Sequence, residues 1–322
     1  MPPKTARDNP ALVWDPALLA QAETLEWRSR VLMEGYLQGQ HRSPLRGFST
    51  EFAQYTPYTQ GDDIRHLDWH VMGRLNRLCI RQYQAETNLR CQVVLDASRS
   101  MAYRSDRAAL SKYAYASLLT AALFRLLMRQ NDACGLTLAS AASTTDQSGA
   151  ALDHLPPALG DLPFQRLLAA IERHAPAEAR PPAASEPPKD LAFTLNRLAP
   201  LWRRRGLLVV FTDAFEEPAP LLEALKLLRI GQHELCLVQV IDPREQDFDF
   251  EVSRTFEDLE TAERLPVSPT MLRKRYRLAF DEHQNQLREG CRGTGVRLLT
   301  VRTDEAPFAA LSTLVQSREG RA

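Results

Sequence analysis

The sequence predicts an α/β protein with a mostly parallel central sheet, helices on both faces of that sheet, and an N-terminal extension. Short, wholly apolar runs have the length of buried strands, and residues 207–211 are the clearest example. Stripes of apolar residues spaced three and four apart, as in 115–126, alternate with these runs and are typical of helices. Strands without polar positions indicate a sheet covered on both faces, and their alternation with helices favours parallel strands.

The individual elements follow from the same patterns in chain order. Asp15-Pro16 is a good helix start, and alternating side chains around Cys79 predict a strand before the regular pattern begins near residue 90. We predict helices at 15–38, 115–126, 167–171, 191–202, 221–228, 272–287 and 308–314, strands at 78–83, 93–95, 133–139, 207–211, 234–241 and 296–301, and a hairpin within 247–259.

The change of pattern near residue 90 sets the predicted domain organisation. Residues 1–89 form an N-terminal helix and a segment rich in aromatic residues, glycine and paired charges, packed on the main domain. Residues 90–322 form the α/β domain, and the full length of 322 residues is ample for a buried core. Within it, the tract 174–190 is rich in Pro, Ala and Glu and has little apolar surface to bury, so we predict a mobile loop there.

Composition restricts the classes of function. The 40 Lys and Arg residues equal the 40 Asp and Glu residues, so the chain lacks the cationic surplus of proteins that bind nucleic acid through its phosphates. The 5 cysteines are scattered and lie mostly in apolar runs, which favours a reducing compartment over disulfides or a zinc site. The first residues lack the apolar core of a signal peptide, and no apolar run is long enough to span a bilayer. We therefore expect a cytoplasmic protein.

Two carboxylates follow apolar strands at positions where chemistry is common. Asp96 ends the run that begins at Val93, Ser98 and Ser100 follow it at alternate positions, and Asp213 comes after the run 207–211. The carboxyl ends of parallel strands meet at one edge of a sheet, where open α/β folds bind ligands. Carboxylate and hydroxyl oxygens suit a hard cation such as Mg²⁺. The same residues could instead cap a helix and bond to backbone, and the spacing leaves both interpretations open.

Longer motifs resemble known families. The order Asp96-x-Ser98-x-Ser100 with a later Asp213 resembles the metal-ion-dependent adhesion site of von Willebrand factor A domains. More narrowly, the chain resembles a bacterial family catalogued as domain of unknown function fifty-eight, from about His41 to Leu314. That resemblance rests on the stretches RSPLRGFSTEFAQYTPYTQGDDIRHLDW, NLRCQVVLDASRSM, FEDLETAERLPVSPTMLRKRYRLAFDEHQ and VRTDEAPF.

The resemblance implies a Rossmann-like von Willebrand factor A domain that binds other proteins and is not an enzyme. Asp96, Ser98, Ser100 and Asp213 would hold Mg²⁺ or Mn²⁺, and an Asp or Glu of a partner would complete the coordination of the metal. Members of the family are often associated with MoxR-type AAA+ ATPases. The resemblance therefore suggests an adaptor for such an ATPase in protein maturation or complex assembly.

Lys189 departs from the family's pattern. The family's second metal loop usually supplies a threonine in a Gly-Gly-Thr-Asp-Leu motif, whereas this chain has PPKDL, which aligns Lys189 with that threonine. A protonated lysine cannot ligate Mg²⁺, but its ammonium could neutralise Asp96 and Asp213 in place of the ion. The sequence leaves a metal-bound site and a metal-free site paired with Lys189 as alternatives.

The segment GDDIRHLDW raises an enzymatic alternative. Its acidic residues could form a second metal site or an acid–base pair with His66, but the many nearby arginines favour a structural network of charges. A metal-dependent hydrolase or phosphohydrolase that uses Asp96 is the alternative function, although the chain has no Gly-x-Ser-x-Gly elbow and no phosphate-binding glycine loop. The residues that we assign to this structural signature are Gly61, Asp62, Asp63, Arg65, Asp68 and Trp69.

Overall fold

The structure is a computed structural model, and it describes residues 16, 20, 24–40, 54–57, 79–82, 89–139, 153–176, 191–250, 254–257, 264–267 and 269–319. The chain divides into two compact units, residues 1–43 with 89–322 and residues 44–88. In the second unit, β1 (Gln54–Pro57) pairs antiparallel with β2 (Cys79–Gln82), which agrees with the strand predicted there. The predicted mobile loop lies outside the described residues from residue 177 onwards.

The larger unit contains helices and strands that alternate as predicted. After α1 (Leu25–Gln40) its elements in chain order are β3 (Arg90–Asp96), a 3₁₀ turn (Arg99–Ala102), α2 (Lys112–Arg129), β4 (Ala133–Ala139), β5 (Asp153–Ala158), α3 (Asp161–Arg173), α4 (Leu191–Leu198), β6 (Leu207–Thr212), α5 (Pro218–Ile230), β7 (Glu234–Ile241), α6 (Pro243–Asp247), β8 (Arg254–Glu257), β9 (Arg264–Val267), α7 (Pro269–Thr294), β10 (Arg297–Arg302) and α8 (Pro307–Glu319).

A six-stranded sheet is the centre of this unit, with the strand order β10-β7-β6-β3-β4-β5. All neighbouring pairs are parallel except β4 and β5, which run antiparallel. The sheet therefore begins with β3 in its middle and continues through β4 to β5 at one edge. The chain then returns to β6 on the other side of β3 and continues through β7 to β10 at the opposite edge. This doubly wound order reverses direction between β3 and β6, and in such sheets the crevice at the reversal is where ligands bind.

Both faces of the sheet are covered, as the apolar strands predict. In β3, Val93 and Leu95 belong to a core cluster with α1, α2, α3 and α8, whereas Val94 belongs to a second cluster with α4, α5 and α7. Successive side chains of a strand point to opposite faces, so a run without polar residues fills both clusters at once. The prediction of an α/β fold with a mainly parallel sheet and helices on both faces is confirmed.

The N-terminal helix α1 packs within the same unit as the sheet. Leu32 and Tyr36 are buried in the core cluster that contains α2. At the rim of this contact, the Arg125 guanidinium donates to the Ser29 hydroxyl over 3.0 Å and to a Glu26 carboxylate oxygen over 3.0 Å. Apolar burial and charged hydrogen bonds thus fix α1 against α2, and the bond between Arg125 and Glu26 joins residues that are 99 positions apart in the sequence.

Two elements differ from the sequence-based assignment. The strand β5 has the sequence DHLPPA, in which two prolines remove backbone donors and obscure the strand pattern, and such a strand is tolerated only at an edge. The hairpin predicted within 247–259 is displaced towards the C-terminus, because β8 pairs with β9. Between β7 and this hairpin, residues 243–247 form the short helix α6, since Asp242 caps that helix and Pro243 occupies its first turn.

Candidate functional site

Three aspartates lie side by side at the carboxyl edge of the sheet. Asp96 ends β3, Asp213 directly follows β6, and Asp242 directly follows β7. Because β3, β6 and β7 are neighbours in the sheet, these ends are adjacent, and Asp96 and Asp213 flank the point where the strand order reverses. All three side chains are buried. The edge at which the sequence predicted a site therefore carries a concentrated, largely desolvated negative charge.

Asp96 is the centre of the predicted cradle. Its Oδ2 accepts a hydrogen bond from the Thr212 hydroxyl over 2.7 Å, and its Oδ1 accepts one from the Ser98 backbone N–H over 2.8 Å. The hydroxyls of Ser98 and Ser100 lie 3.1 Å apart, and both serines are only half-buried. The structure thus brings one carboxylate and two hydroxyls together in a short turn, in which the two serines are more accessible than Asp96.

Burial makes the charge of Asp96 costly. Burial, together with the nearby negative charge of Asp213, raises the pKa of Asp96 to about 6. The hydrogen bonds from Thr212 and Ser98 favour the carboxylate and offset only part of this effect. Within the described part of the chain, Asp96 forms no ion pair. Its carboxylate would therefore be stabilised by a cation.

Asp213 is paired with a buried lysine, Lys112, that was not among the residues predicted from the sequence. The Lys112 ammonium donates to Asp213 Oδ2 over 2.8 Å and to Glu245 Oε1 over 2.6 Å. Its side chain has an exposure of 0%. The ammonium also lies 4.7 Å from the centre of the Phe215 ring and 5.8 Å from that of Tyr103, so aromatic rings complete its surroundings.

Without these partners, a charged lysine would be unfavourable at position 112, because the site is buried and lies at the N-terminus of a helix. Lys112 is the first residue of α2, directly after the cap residue Ser111, where the partial positive charge of a helix N-terminus disfavours a cation. Burial alone would lower the pKa of Lys112, but the carboxylates of Asp213 and Glu245 more than reverse this effect and raise it. Burial raises the pKa of Glu245 to about 7 even though Lys112 opposes the shift, because one ammonium serves two carboxylates.

Asp242 and Glu245 form a second set of contacts at this edge. Asp242 accepts from the Ser105 backbone N–H over 2.9 Å and from the Arg244 N–H over 2.9 Å. Glu245 Oε2 accepts in turn from the Asp242 N–H over 3.0 Å, which completes a capping box at the start of α6. The pair anchors the loop around Ser105 to the end of β7 and holds Glu245 against Lys112.

The loop after β6 is held in an unusual conformation. Ala214 has φ of 51°, in the left-handed region that residues other than glycine rarely adopt. Three contacts fix it: the Ala214 N–H donates to the Thr212 hydroxyl, His283 Nε2 donates to the Ala214 carbonyl, and the Gln239 amide donates to the Asp213 carbonyl. Such local strain is retained where the surroundings define the geometry, and here it sets the direction of Asp213.

The structure brings together the predicted residues at the sheet edge, whereas the other predicted residues lie outside its described part. Asp96, Ser98, Ser100 and Asp213 come to one edge as expected, but Asp213 is engaged by Lys112. Lys189, the predicted cation substitute, lies outside the described residues, and so does the whole signature Gly61, Asp62, Asp63, Arg65, Asp68 and Trp69. Asp242 was not predicted, although its position after the apolar run of β7 is the same signal that identified Asp96 and Asp213.

The donor set can be compared with what a divalent cation needs. Among the described residues, no group of three or more His, Cys, Asp or Glu side chains could hold a metal ion. A site here would depend on hydroxyls as well as a carboxylate, and Asp96, Ser98 and Ser100 supply that combination of hard oxygen ligands. The buried carboxylate of Asp96, which forms no ion pair with any residue that the structure describes, and the hydroxyls of the half-buried Ser98 and Ser100 fit Mg²⁺ or Mn²⁺ as ligands.

Residues 54–287 match the model of a known family, which is described as "Protein of unknown function DUF58". The chain belongs to the DUF58 family. The match includes Asp96, Lys112, Asp213 and Glu245, so the site at the sheet edge lies inside the family's region.

Other DUF58-like proteins occur in mycobacteria. The chain is 28% identical over 321 residues to uncharacterized protein Rv1480 of Mycobacterium tuberculosis, with 98% of this chain and 94% of the relative covered. The same values describe uncharacterized protein Mb1516 of Mycobacterium bovis. Uncharacterized protein MAV169 of Mycobacterium avium is 29% identical over 130 residues, which covers 40% of this chain and 76% of that protein.

Solved structures give more distant similarities. Conserved hypothetical protein BatB from Bacteroides thetaiotaomicron aligns with a TM-score of 0.45 and 13% identity, over 72% of this chain and 99% of that chain. An aerotolerance-related membrane protein from Bacteroides fragilis aligns with a TM-score of 0.44 and 16% identity, over 72% and 99% of the two chains. Among the helices that the structure describes here, none has both the length and the hydropathy needed to cross a membrane.

Proposed function

We propose that this DUF58 protein is a non-catalytic interaction module that captures an acidic residue of a partner protein at Asp96, Ser98 and Ser100. Mg²⁺ or Mn²⁺ held by these three residues would supply an electrophilic position that the partner's carboxylate fills. The fold would be of the von Willebrand factor A type, and the partner a MoxR-type AAA+ ATPase for which this chain serves as an adaptor in protein maturation or complex assembly.

The observation that carries the proposal is the position of Asp96 relative to its two serines. Asp96 lies at the reversal of strand order, its charge is buried without an ion pair in the described part of the chain, and the neighbouring Ser98 and Ser100 are only half-buried. A cation at this point would offset the cost of the buried charge. A carboxylate from outside could then reach the cation past the serines, because these are the accessible members of the site.

The fold assignment within the proposal is supported by the strand order. Counted from β3, the order across the sheet is third, second, first, fourth, fifth, sixth, with the third strand antiparallel. The Asp-x-Ser-x-Ser sequence follows the first of these strands and Asp213 follows the fourth, which are neighbours. This combination of topology and strand-end residues is what the resemblance to von Willebrand factor A domains implies.

The contacts of Asp96 favour binding over hydrolysis. Both of its oxygens already accept hydrogen bonds, from Thr212 and Ser98, and the side chain is buried. A nucleophilic carboxylate must present an oxygen to its substrate, and a general base must reach the proton that it abstracts. Ser98 and Ser100, which are only half-buried, are better placed to meet an external ligand than the buried carboxylate itself.

The proposal is tested by capture of the ATPase from the native host. The bait proteins are the wild type, Asp96→Asn, the double variant Ser98→Ala with Ser100→Ala, and Thr313→Ala, which removes an exposed hydroxyl on α8 as a matched control. With Mg²⁺ present, the wild type and Thr313→Ala should recover a MoxR-type AAA+ ATPase, and the other two should lose it about tenfold or more. Chelation should have the same effect as Asp96→Asn. Equal recovery by all four baits would refute the proposal.

A further inference from the structure

The pairing of Lys112 with Asp213 reduces the negative charge that the site can direct at a cation. Asp96 and Asp213 flank the same crevice, and the charge of Asp213 is close enough to affect that of Asp96. Asp213 Oδ2 nevertheless faces the Lys112 ammonium at 2.8 Å, and Phe215 and Tyr103 cover that ammonium. One of the two flanking carboxylates is therefore already paired with a cation inside the protein.

A count of charges shows the consequence. When both carboxylates are ionised, Asp213 and Glu245 contribute two negative charges and Lys112 one positive charge, so this triad carries a single surplus negative charge shared by two carboxylates. Affinity for a hard divalent cation depends on the number of charged ligands that reach it. With Asp213 turned to Lys112, Asp96 is the remaining carboxylate of the predicted set, joined by the neutral hydroxyls of Ser98 and Ser100.

We propose that Lys112 is the residue that sets the cation affinity of this site, because it holds Asp213 away from the cation. Mg²⁺ or Mn²⁺ then binds weakly to the free protein, and the carboxylate of a partner supplies the negative charge that Asp213 withholds. The ion and the partner consequently bind together. This inference rests on the proposed function, since it concerns the cation that Asp96, Ser98 and Ser100 would hold.

A purely structural role for Lys112 makes a different prediction. A buried ion pair stabilises a fold little more than a well-packed apolar replacement does, and Lys112 also stands at an unfavourable helix terminus. If Lys112 served the fold alone, its replacement would change stability but leave cation affinity unaltered. Cation affinity therefore separates the two roles.

The test compares variants in which the charge of the triad is kept constant. Lys112→Met combined with Glu245→Gln removes one positive and one negative charge, so the triad keeps its single negative charge but Asp213 loses its cation. Mn²⁺ is titrated into each purified full-length protein, and binding is followed by the loss of the free-ion paramagnetic resonance signal and by calorimetry. The double variant should bind Mn²⁺ at least about tenfold more tightly than the wild type.

Two further variants show whether the gain comes from Asp213. Adding Asp213→Asn to the double variant should return Mn²⁺ affinity to the wild-type level or below it. Glu245→Gln alone leaves Lys112 to Asp213, and its affinity should not exceed that of the wild type. Should Lys112→Met with Glu245→Gln fail to fold by circular dichroism, Lys112→Gln with Glu245→Gln gives the same comparison, because its amide can hydrogen-bond to buried polar groups but carries no positive charge to neutralise Asp213.

The inference and the proposed function can fail separately. An unchanged or weaker Mn²⁺ affinity in the folded double variant overturns the role of Lys112, whatever the capture experiment shows. A gain that persists after Asp213→Asn also overturns it, because the freed ligand would then not be Asp213. A gain that depends on Asp213 supports it even if no ATPase is captured, and in that case only the identity of the partner is wrong.

Discussion

The Lys112 ammonium lies 2.8 Å from Asp213 Oδ2, and the two residues are 101 positions apart in the sequence. This bond joins the first turn of α2 to the loop after β6, and Glu245 extends it to α6 over 2.6 Å. Lys112, Asp213 and Glu245 therefore connect three separate elements at the carboxyl edge of the sheet. Because none of these charges is well solvated, each depends on the presence of the others.

Lys112→Met should be strongly destabilising. The change leaves the buried carboxylates of Asp213 and Glu245 without their ammonium, and loss of one partner of a buried ion pair costs about 3–5 kcal/mol. Urea unfolding at neutral pH measures the loss. Lys226→Met is the matched control, because Lys226 is exposed on α5, and it should change the free energy of unfolding by about 0.5 kcal/mol or less. Similar values for the two variants would contradict the assigned role of the buried ammonium.

Asp96→Asn should stabilise the protein at neutral pH. The pKa of Asp96 is raised to about 6 in the folded state, chiefly by burial, so the folded protein loses stability as pH rises from the pKa of the unfolded chain, about 4, towards 6. Above that window the carboxylate is charged in both states and the full penalty remains. In metal-free buffer the variant should gain about 1–3 kcal/mol at pH 7.5 and almost nothing at pH 4.

Measurement of this effect needs urea titrations of both proteins at several pH values between 4 and 7.5. The informative quantity is the difference between the two free energies of unfolding, because Glu245 and the other groups titrate in both proteins. A difference that shrinks as pH rises, or a variant less stable than the wild type at pH 7.5, would show that hydrogen bonding by Thr212 and Ser98 outweighs the desolvation of Asp96.

Asp242→Ala should destabilise the protein at the carboxyl edge of the sheet without removing either partner of the ion pair between Asp213 and Lys112. It removes the acceptor of two backbone N–H groups, those of Ser105 and Arg244, and we expect a loss of about 2–3 kcal/mol. Asp247→Ala is the control, since Asp247 pairs with Arg107 at the surface and should contribute about 1 kcal/mol or less. Thermal unfolding followed by circular dichroism distinguishes these outcomes, and equal losses would argue against the capping role of Asp242.

Leu32→Ala should show that α1 belongs to the core of the larger unit. Leu32 is fully buried against the cluster that contains α2, and removal of such a side chain costs about 2–5 kcal/mol. Trp27→Ala on the same helix removes a larger side chain that is 41% exposed, and it should cost less. The two denaturation curves give a direct comparison. A greater loss for Trp27→Ala would mean that α1 contributes to stability through its outer face.

The sequence predicts the parts of this fold that depend on local patterns. Wholly apolar strands and the rule that their carboxyl ends meet at one edge were enough to bring Asp96, Ser98, Ser100 and Asp213 together. Asp242 follows the same rule after β7 and could have been identified in the same way. The strand β5 was missed because Pro156 and Pro157 remove the donors and the alternation by which strands are recognised.

Lys112 could not be predicted in this way. Locally it is a polar residue at the start of an apolar helix, and nothing in its neighbours distinguishes it from a solvated lysine. Its two partners are 101 and 133 residues away, so the pairing arises only when β3, β6 and β7 are assembled. The departure at Lys189 suggested that a lysine could replace a metal ligand, whereas the lysine seen beside Asp213 is Lys112 at the start of α2.

The prolines of β5 also affect how other chains can approach the sheet. At that margin, Pro156 and Pro157 offer no N–H groups, and β5 is short and only partly buried. A foreign strand could not form a continuous ladder of hydrogen bonds there, which protects the protein from growing into a larger sheet or a fibril. Under the proposed function, a partner that adds no strand would recognise side chains at the carboxyl ends of β3 and β6.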